Sequence, residues 1–206
     1  MGADAVERVI AAIREGQPVL LPTDTVYGLV ARAYPEEPTT RLYRLKGREE
    51  RQPSALLASS VEMLFDCVPE LQARCGPIVR ELLPGPYTLV LSNPAGRYPW
   101  LTGTRRDAIG VRVPVLPDEA RRALDAAGCV GSTSANDPGG ASPATLDEVP
   151  ARIREAVAAE LDAGRLPGTP STVIDFTGDE PYVVREGAAP AADAIARVRS
   201  ALHARP

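Results

Sequence analysis

Residues 20–31 read LLPTDTVYGLVA: an apolar run closed by Pro22, then Thr23, Asp24 and Thr25, then a Tyr-Gly pair. Pro22 has no N–H to give a sheet ladder, and a Thr-Asp-Thr triplet can turn the backbone while leaving its own oxygens free. The stretch therefore reads as a strand, PVLLP (18–22), ending in a polar site. What flanks it decides the kind of sheet that the strand joins.

Upstream, Val6, Val9, Ile10 and Ile13 recur at helical spacing and Gly16 supplies a terminator, so a helix is expected over 3–15. Downstream, 36–46 fits a second helix, with Leu42 and Leu45 inward, Arg41, Arg44 and Arg48 on other faces, and Lys46-Gly47-Arg48 delivered at its end. SALLAS (54–59) reads as a short buried strand, and PELQARCGPIVRELLPG (69–85) as a helix interrupted near Gly76-Pro77. YTLVL (87–91) and AIGVRV (108–113) are strand candidates, and PDEARRALDAAG (117–128) is a capped helix. CVGSTSANDPGGASP (129–143) holds a brief strand and then a loop, whose stretch from Asp137 to Pro143 is a candidate lid. A helical pattern covers 145–162. STVIDF (171–176) and PYVVRE (181–186) suggest a hairpin around Thr177-Gly178-Asp179, and the tail from Ala189 reads as a terminal helix. Helices and strands interleave without an internal repeat or low-complexity linker. The expectation is one α/β domain over 1–206, a twisted, mostly mixed β-sheet flanked by helices.

Composition narrows the function. The 206 residues are 44% hydrophobic but only 4% aromatic, enough for an aliphatic core of one large domain. A net charge of −4 argues against a general nucleic-acid coat protein, though a local basic pocket stays open. No apolar run approaches the roughly 20 residues that span a bilayer. The mixed-charge, amphipathic N-terminus is unlike a signal peptide, so the expected location is cytoplasmic. Cys67, Cys75 and Cys129 are odd in number and lack Cys-x-x-Cys spacing, so they are expected to be reduced thiols. The single histidine, His203, sits in the C-terminal tail, which argues against Ser-His-Asp, Cys-His and His-ligated zinc chemistry.

What remains is a set of strand ends where hydroxyls and small residues meet cations. Ser-Thr-Ser-Ala-Asn before Pro-Gly-Gly can be a plain surface turn, and Lys46 and Arg48 a solvated helix end. Arg112 is harder to dismiss, because an arginine inside a strand needs solvent or an anion, and its planar guanidinium suits a carboxylate or phosphate. Arg185, among valines, repeats the argument. No Gly-x-x-x-x-Gly-Lys-Ser/Thr and no Gly-x-Gly-x-x-Gly occurs, so an anion site here would lack a Walker loop.

In order and spacing, PTDTVYGL, KGR, PGPYT, GVRVP, STSAN, STVID and VVREG resemble the YrdC-like family of threonylcarbamoyl-AMP synthases, from about Gln17 to Gly187. The resemblance implies the YrdC/RibB fold. It implies a nucleotidyltransferase that joins L-threonine, bicarbonate and ATP, with Mg2+, into threonylcarbamoyl-AMP and pyrophosphate for t6A modification of tRNA. By matching motif, Thr25, Arg112, Ser132 and Ser171 would hold L-threonine, with Arg112 on its carboxylate. Arg48, Gln52, Ser134, Asn136, Ser142 and Arg185 would hold ATP, and Lys46 and Arg48 would stabilise charge on the phosphates. Implied partners are a downstream tRNA threonylcarbamoyl transferase complex and a weak tRNA or double-stranded RNA contact, with no membrane. This chain departs from the pattern at Val30, where glycine is common and the pocket wall would tighten, at Leu57, histidine in some members, and at Gln52, where a basic residue or Asn is frequent. Longer relatives carry a further C-terminal domain, for which this chain ends too soon. A second reading is a non-catalytic nucleotide- or RNA-binding paralogue. The carbamoyl-transfer module of hydrogenase maturation shares the fold but is disfavoured by the lack of Cys-x-x-Cys segments.

Overall fold

A computed structural model describes residues 2–47 and 52–203. Its element order is α1 (Ala3–Arg14), β1 (Val19–Pro22), β2 (Tyr27–Arg32), α2 (Glu36–Lys46), β3 (Ala55–Leu57), α3 (Val61–Cys67), α4 (Glu70–Leu82), β4 (Tyr87–Ser92), β5 (Ala108–Arg112), α5 (Asp118–Ala127), β6 (Val130–Ser134), a 3-10 turn (Leu146–Glu148), α6 (Ala151–Arg154), β7 (Ala159–Glu160), β8 (Thr172–Asp175), β9 (Tyr182–Arg185) and α7 (Ala191–His203). The nine strands form one mixed sheet in the order β7-β1-β2-β6-β3-β5-β4-β8-β9. The expected α/β architecture is therefore what folds.

The two faces of the sheet are used differently. Side chains alternate across a strand, so Leu56, Leu89, Leu91, Ile109, Val111 and Ile174 point to one face. There they join Leu64 of α3, Leu71 and Val79 of α4 and Val198 of α7 in one core. Further along, Leu20, Tyr27, Leu29 and Ala31 pack with Leu42 and Tyr43 of α2. On the opposite face, Val19, Leu21, Val30, Leu57 and Val130 are covered by Val6, Val9 and Ile13 of α1 and by Ala123 and Leu124 of α5. Two residues along the same strands, at Gly28, Ala55 and Ser132, none of the described helices contributes to the lining, and that end of the face borders a cavity.

Several expectations are corrected. Pro22 ends β1, but the chain turns straight back into β2, antiparallel with Pro22 opposite Tyr27. Helix α4 runs unbroken through Pro77. Gly76 has no Cβ to meet the proline ring, and the buried stripe of Leu71, Cys75, Val79 and Leu82 holds the helix together. Helix α3 has no counterpart in the sequence reading; its signal is Ser60, whose Oγ accepts from the Met63 N–H at 3.1 Å as an N-cap. The helical pattern over 145–162 breaks because Val149 precedes Pro150 and adopts extended backbone (φ −70°, ψ 130°). It becomes the 3-10 turn, the one-turn α6, and β7, which pairs parallel with β1. Cys67 and Cys129, expected to be reduced, form a disulfide between the end of α3 and the start of β6, 62 residues apart. Only Cys75 is a free, buried thiol.

Candidate functional site

The open end of the sheet is floored by small residues. Gly28 pairs with Ser134, Ser132 with Ala55, Ala55 with Gly110, and Gly110 with Val90, across five neighbouring strands. With almost no side-chain volume at these positions, the floor sinks into a cavity of about 340 Å3. Thr23, Ser132, Ser134, Arg112, Ser171 and Arg185 all belong to its lining. The hollow is wide enough for a ligand larger than a single amino acid.

The Thr23-Asp24-Thr25 turn builds one wall. Thr23 donates its hydroxyl proton to Val26 O at 2.7 Å, so Thr25, 3.0 Å from Thr23 Oγ1, donates there and keeps only acceptor capacity. Arg112 Nη2 uses that capacity, donating to Thr25 Oγ1 at 2.6 Å, and to Asp24 Oδ1 at 2.5 Å. Asp24 Oδ2 in turn accepts from Val115 N–H at 3.1 Å. Arg112 Nε, also buried, has no partner among the described residues. Burial pushes the Arg112 pKa below the usual guanidinium value, the Asp24 carboxylate offsets part of this, and the charge of Arg185 adds to the lowering.

Arg185 comes from the far edge strand. Its Nε and Nη2 donate to Ser171 O at 3.2 and 2.8 Å, and Ser171 Oγ lies 2.8 Å from Thr88 Oγ1. Partial burial lowers the Arg185 pKa, and no carboxylate pairs with it among the described residues. A third cation, Arg105, is fixed by Asp175 Oδ2 at 2.6 Å and by Thr177 Oγ1 at 2.8 Å. Burial pushes the Asp175 carboxyl up, but the Thr177 hydroxyl and amide and the Arg105 guanidinium outweigh it, leaving its pKa below the ordinary value. Sequence reasoning missed Arg105 and Asp175, whose contact spans 70 residues.

Beneath the floor lies a polar network. Lys46, 4% exposed, donates to Ser134 O and to Asn136 Oδ1, the latter at 2.8 Å. Ser134 Oγ donates to the same Asn136 oxygen at 2.5 Å, and Asn136 Nδ2 donates to Gly140 O at 2.6 Å. Gly47, left-handed at φ +67°, closes α2 just beyond Lys46. The proposed lid over 137–143 is tied down at three points: Asp137 pairs with Arg152, Gly140 holds Asn136, and Pro143 O accepts from Tyr27 N–H at 3.0 Å.

The convergence expected from sequence thus holds for Arg112, Ser132, Ser134, Ser171 and Arg185, which share one cavity. Thr25 is fully buried behind Arg112 and reaches the cavity only through it. Lys46 and Asn136 support the floor through Ser134. Gln52 and Ser142 are outside the lining; Pro53, Ser54 and Ala55 occupy the wall where Gln52 was expected. Arg48 lies outside the described residues. Val30 and Leu57 belong to the core under α1 and α5, so neither narrows the pocket.

A family model for Sua5, YciO and YrdC proteins, described as telomere recombination, matches residues 11–187. The chain belongs to the Sua5/YciO/YrdC family. It is 34% identical to the threonylcarbamoyl-AMP synthase of Halorhodospira halophila over 79% of this chain and 84% of that protein. Among solved structures, P. abyssi Sua5 complexed with L-threonine superposes with a TM-score of 0.80 at 30% identity, over 94% of this chain. This chain spans 56% of that longer one. E. coli YciO superposes with a TM-score of 0.76 at 26% identity, over 90% of both chains.

Proposed function

We propose that this protein is an L-threonylcarbamoyladenylate synthase, making threonylcarbamoyl-AMP and pyrophosphate from L-threonine, bicarbonate and ATP for t6A modification of tRNA. One observation carries the reading: the buried Arg112, gripped by the Asp24 turn, lines a hollow with hydroxyls and with Arg185, which pairs with no carboxylate among the described residues. A buried guanidinium bordering a cavity is costly to desolvate unless an anion meets it there, and a carboxylate does so through charge-assisted hydrogen bonds. Relatives named as this synthase, and a neighbour complexed with L-threonine, supply the reaction.

In this reading the amino acid lies with its carboxylate on Arg112 and its body over the Ser132 side of the floor. Bicarbonate adds to its amine with loss of water, and a carbamate oxygen then attacks the α-phosphorus as the bond from that phosphorus to the bridging oxygen breaks and pyrophosphate leaves. The work of the chain is to position the reactants, oppose developing negative charge with Arg185 and the Lys46–Ser134–Asn136 network, and keep water from the mixed anhydride. No acid–base histidine is required.

The described residues build no cage for magnesium. They contain no cluster of three His, Cys, Asp or Glu side chains that could hold a metal, and Asp24 and Asp175 are each tied to an arginine. Mg2+ would therefore enter on the nucleotide's phosphates rather than on protein ligands.

The test is pyrophosphate release from ATP, Mg2+ and bicarbonate, with and without L-threonine. The expected result is threonine-dependent release by the wild-type chain and none by Arg112→Ala with an unchanged circular dichroism spectrum. Release indifferent to threonine would remove the proposal, and tight RNA binding without release would favour the paralogue reading.

A further inference from the structure

We infer that Asp24 is a positioning residue for carboxylate recognition, acting through Arg112; the inference rests on the synthase reading. Three oxygens of a single turn surround one nitrogen of Arg112: Asp24 Oδ1 at 2.5 Å, Thr25 Oγ1 at 2.6 Å and Thr23 Oγ1 at 3.4 Å. The two hydrogens of Nη2 are thereby fully occupied. The guanidinium cannot turn this edge to a ligand, and only the rest of the group is left to the cavity that Arg112 lines.

Asp24 does more than neutralise a charge. Its second oxygen is held by the amide of Val115, three residues beyond Arg112 on the chain leaving β5. One carboxylate therefore fixes the turn after β1 against the exit of β5 and sets the roll of the guanidinium between them. Asp24 is itself outside the cavity lining, so its effect must pass through Arg112. The side chains of Asp24 and Arg112 are only 12% and 9% exposed, which leaves little water to replace the contact. An asparagine could still accept from Nη2, but its amide nitrogen or its lost charge would fail at Val115 N–H or at Arg112.

The experiment compares full-length wild type with Asp24→Asn and Asp24→Glu, by steady-state pyrophosphate release and by calorimetric binding of L-threonine and of ATP separately. For Asp24→Asn, KM and Kd for threonine should rise about tenfold or more, the weight of one charge-assisted hydrogen bond. ATP affinity and kcat at saturating threonine should stay close to wild type, the melting temperature should fall because Arg112 loses its buried counter-ion, and Asp24→Glu should recover part of the threonine affinity. Unchanged threonine affinity in Asp24→Asn beside an active wild type would overturn the role of Asp24 alone. Parallel losses of threonine affinity and ATP affinity, with no recovery in Asp24→Glu, would reduce the pair to a structural ion pair and also overturn it. A wild-type chain that binds no threonine would remove the synthase reading and this inference together.

Discussion

Arg112 enters the folded state with Nη2 saturated by one turn while the residue still lines the cavity, and that asymmetry is the most informative feature of the site. A lysine there could supply the charge but not a second, fixed donor. Arg112→Lys is therefore expected to lower kcat/KM for threonine by about 100-fold, the upper range for a charged hydrogen bond, with intact secondary structure by circular dichroism. Asp175 gives a pH signature. Its folded pKa lies below the unfolded value, so its stabilisation is present above about pH 4 and is lost as pH falls through the folded pKa. Melting temperatures below about pH 4 should fall more steeply for the wild type than for Asp175→Asn; equal slopes would rule Asp175 out as the source. Arg112 was legible in the sequence because a charge inside a strand violates the local pattern. Thr25 is expected from sequence as a ligand contact; that its hydroxyl accepts from Arg112, 87 residues away, is visible only in the fold.

Elements place these side chains by close backbone approach as well as by pairing. Gly187 follows β9, and a Cβ added there would collide with Pro170 O and with the backbone of Ser171, the residue whose carbonyl holds Arg185. Gly187→Ala should push the 170–171 segment away and release Arg185, weakening ATP binding by about tenfold while the core remains folded. Calorimetry reads this directly, and unchanged ATP affinity would show that the segment does not hold Arg185 for the nucleotide. Element by element, long amphipathic stretches were readable: α1, α2 and α5 fall where their apolar spacing and terminal glycines put them. The failures came where a local signal met a stronger one. Pro77 did not break α4 because packing along one face outweighed a single missing hydrogen bond, whereas Pro150 ended a promising helix because Val149 could not be helical before it.

Across the whole molecule, six of the seven short motifs, spread from 22 to 187, line one hollow because the sheet order interleaves distant strands, β6 between β2 and β3, and β8 beside β4. That order was not deducible from periodicity; the resemblance supplied the expectation of convergence and the pairing registers account for it. The single tryptophan offers a probe. Trp100 lies against Tyr34 and Tyr98 at ring-centroid distances of 5.9 and 6.2 Å, on the same 93–107 connection that brings Thr102, Thr104 and Arg105 to the cavity. Its emission should shift on saturating with ATP, and a constant spectrum alongside calorimetric binding would mean the connection stays still. The floor of Gly28, Ala55 and Gly110 has a consequence for redesign. Its depth is fixed by missing side chains on interior strands, and the packing that stabilises the fold lies elsewhere. Methyl groups added at Ala55 or Gly110 should make the bowl shallower in single-carbon steps, so substrate size becomes adjustable largely apart from the stability of the fold.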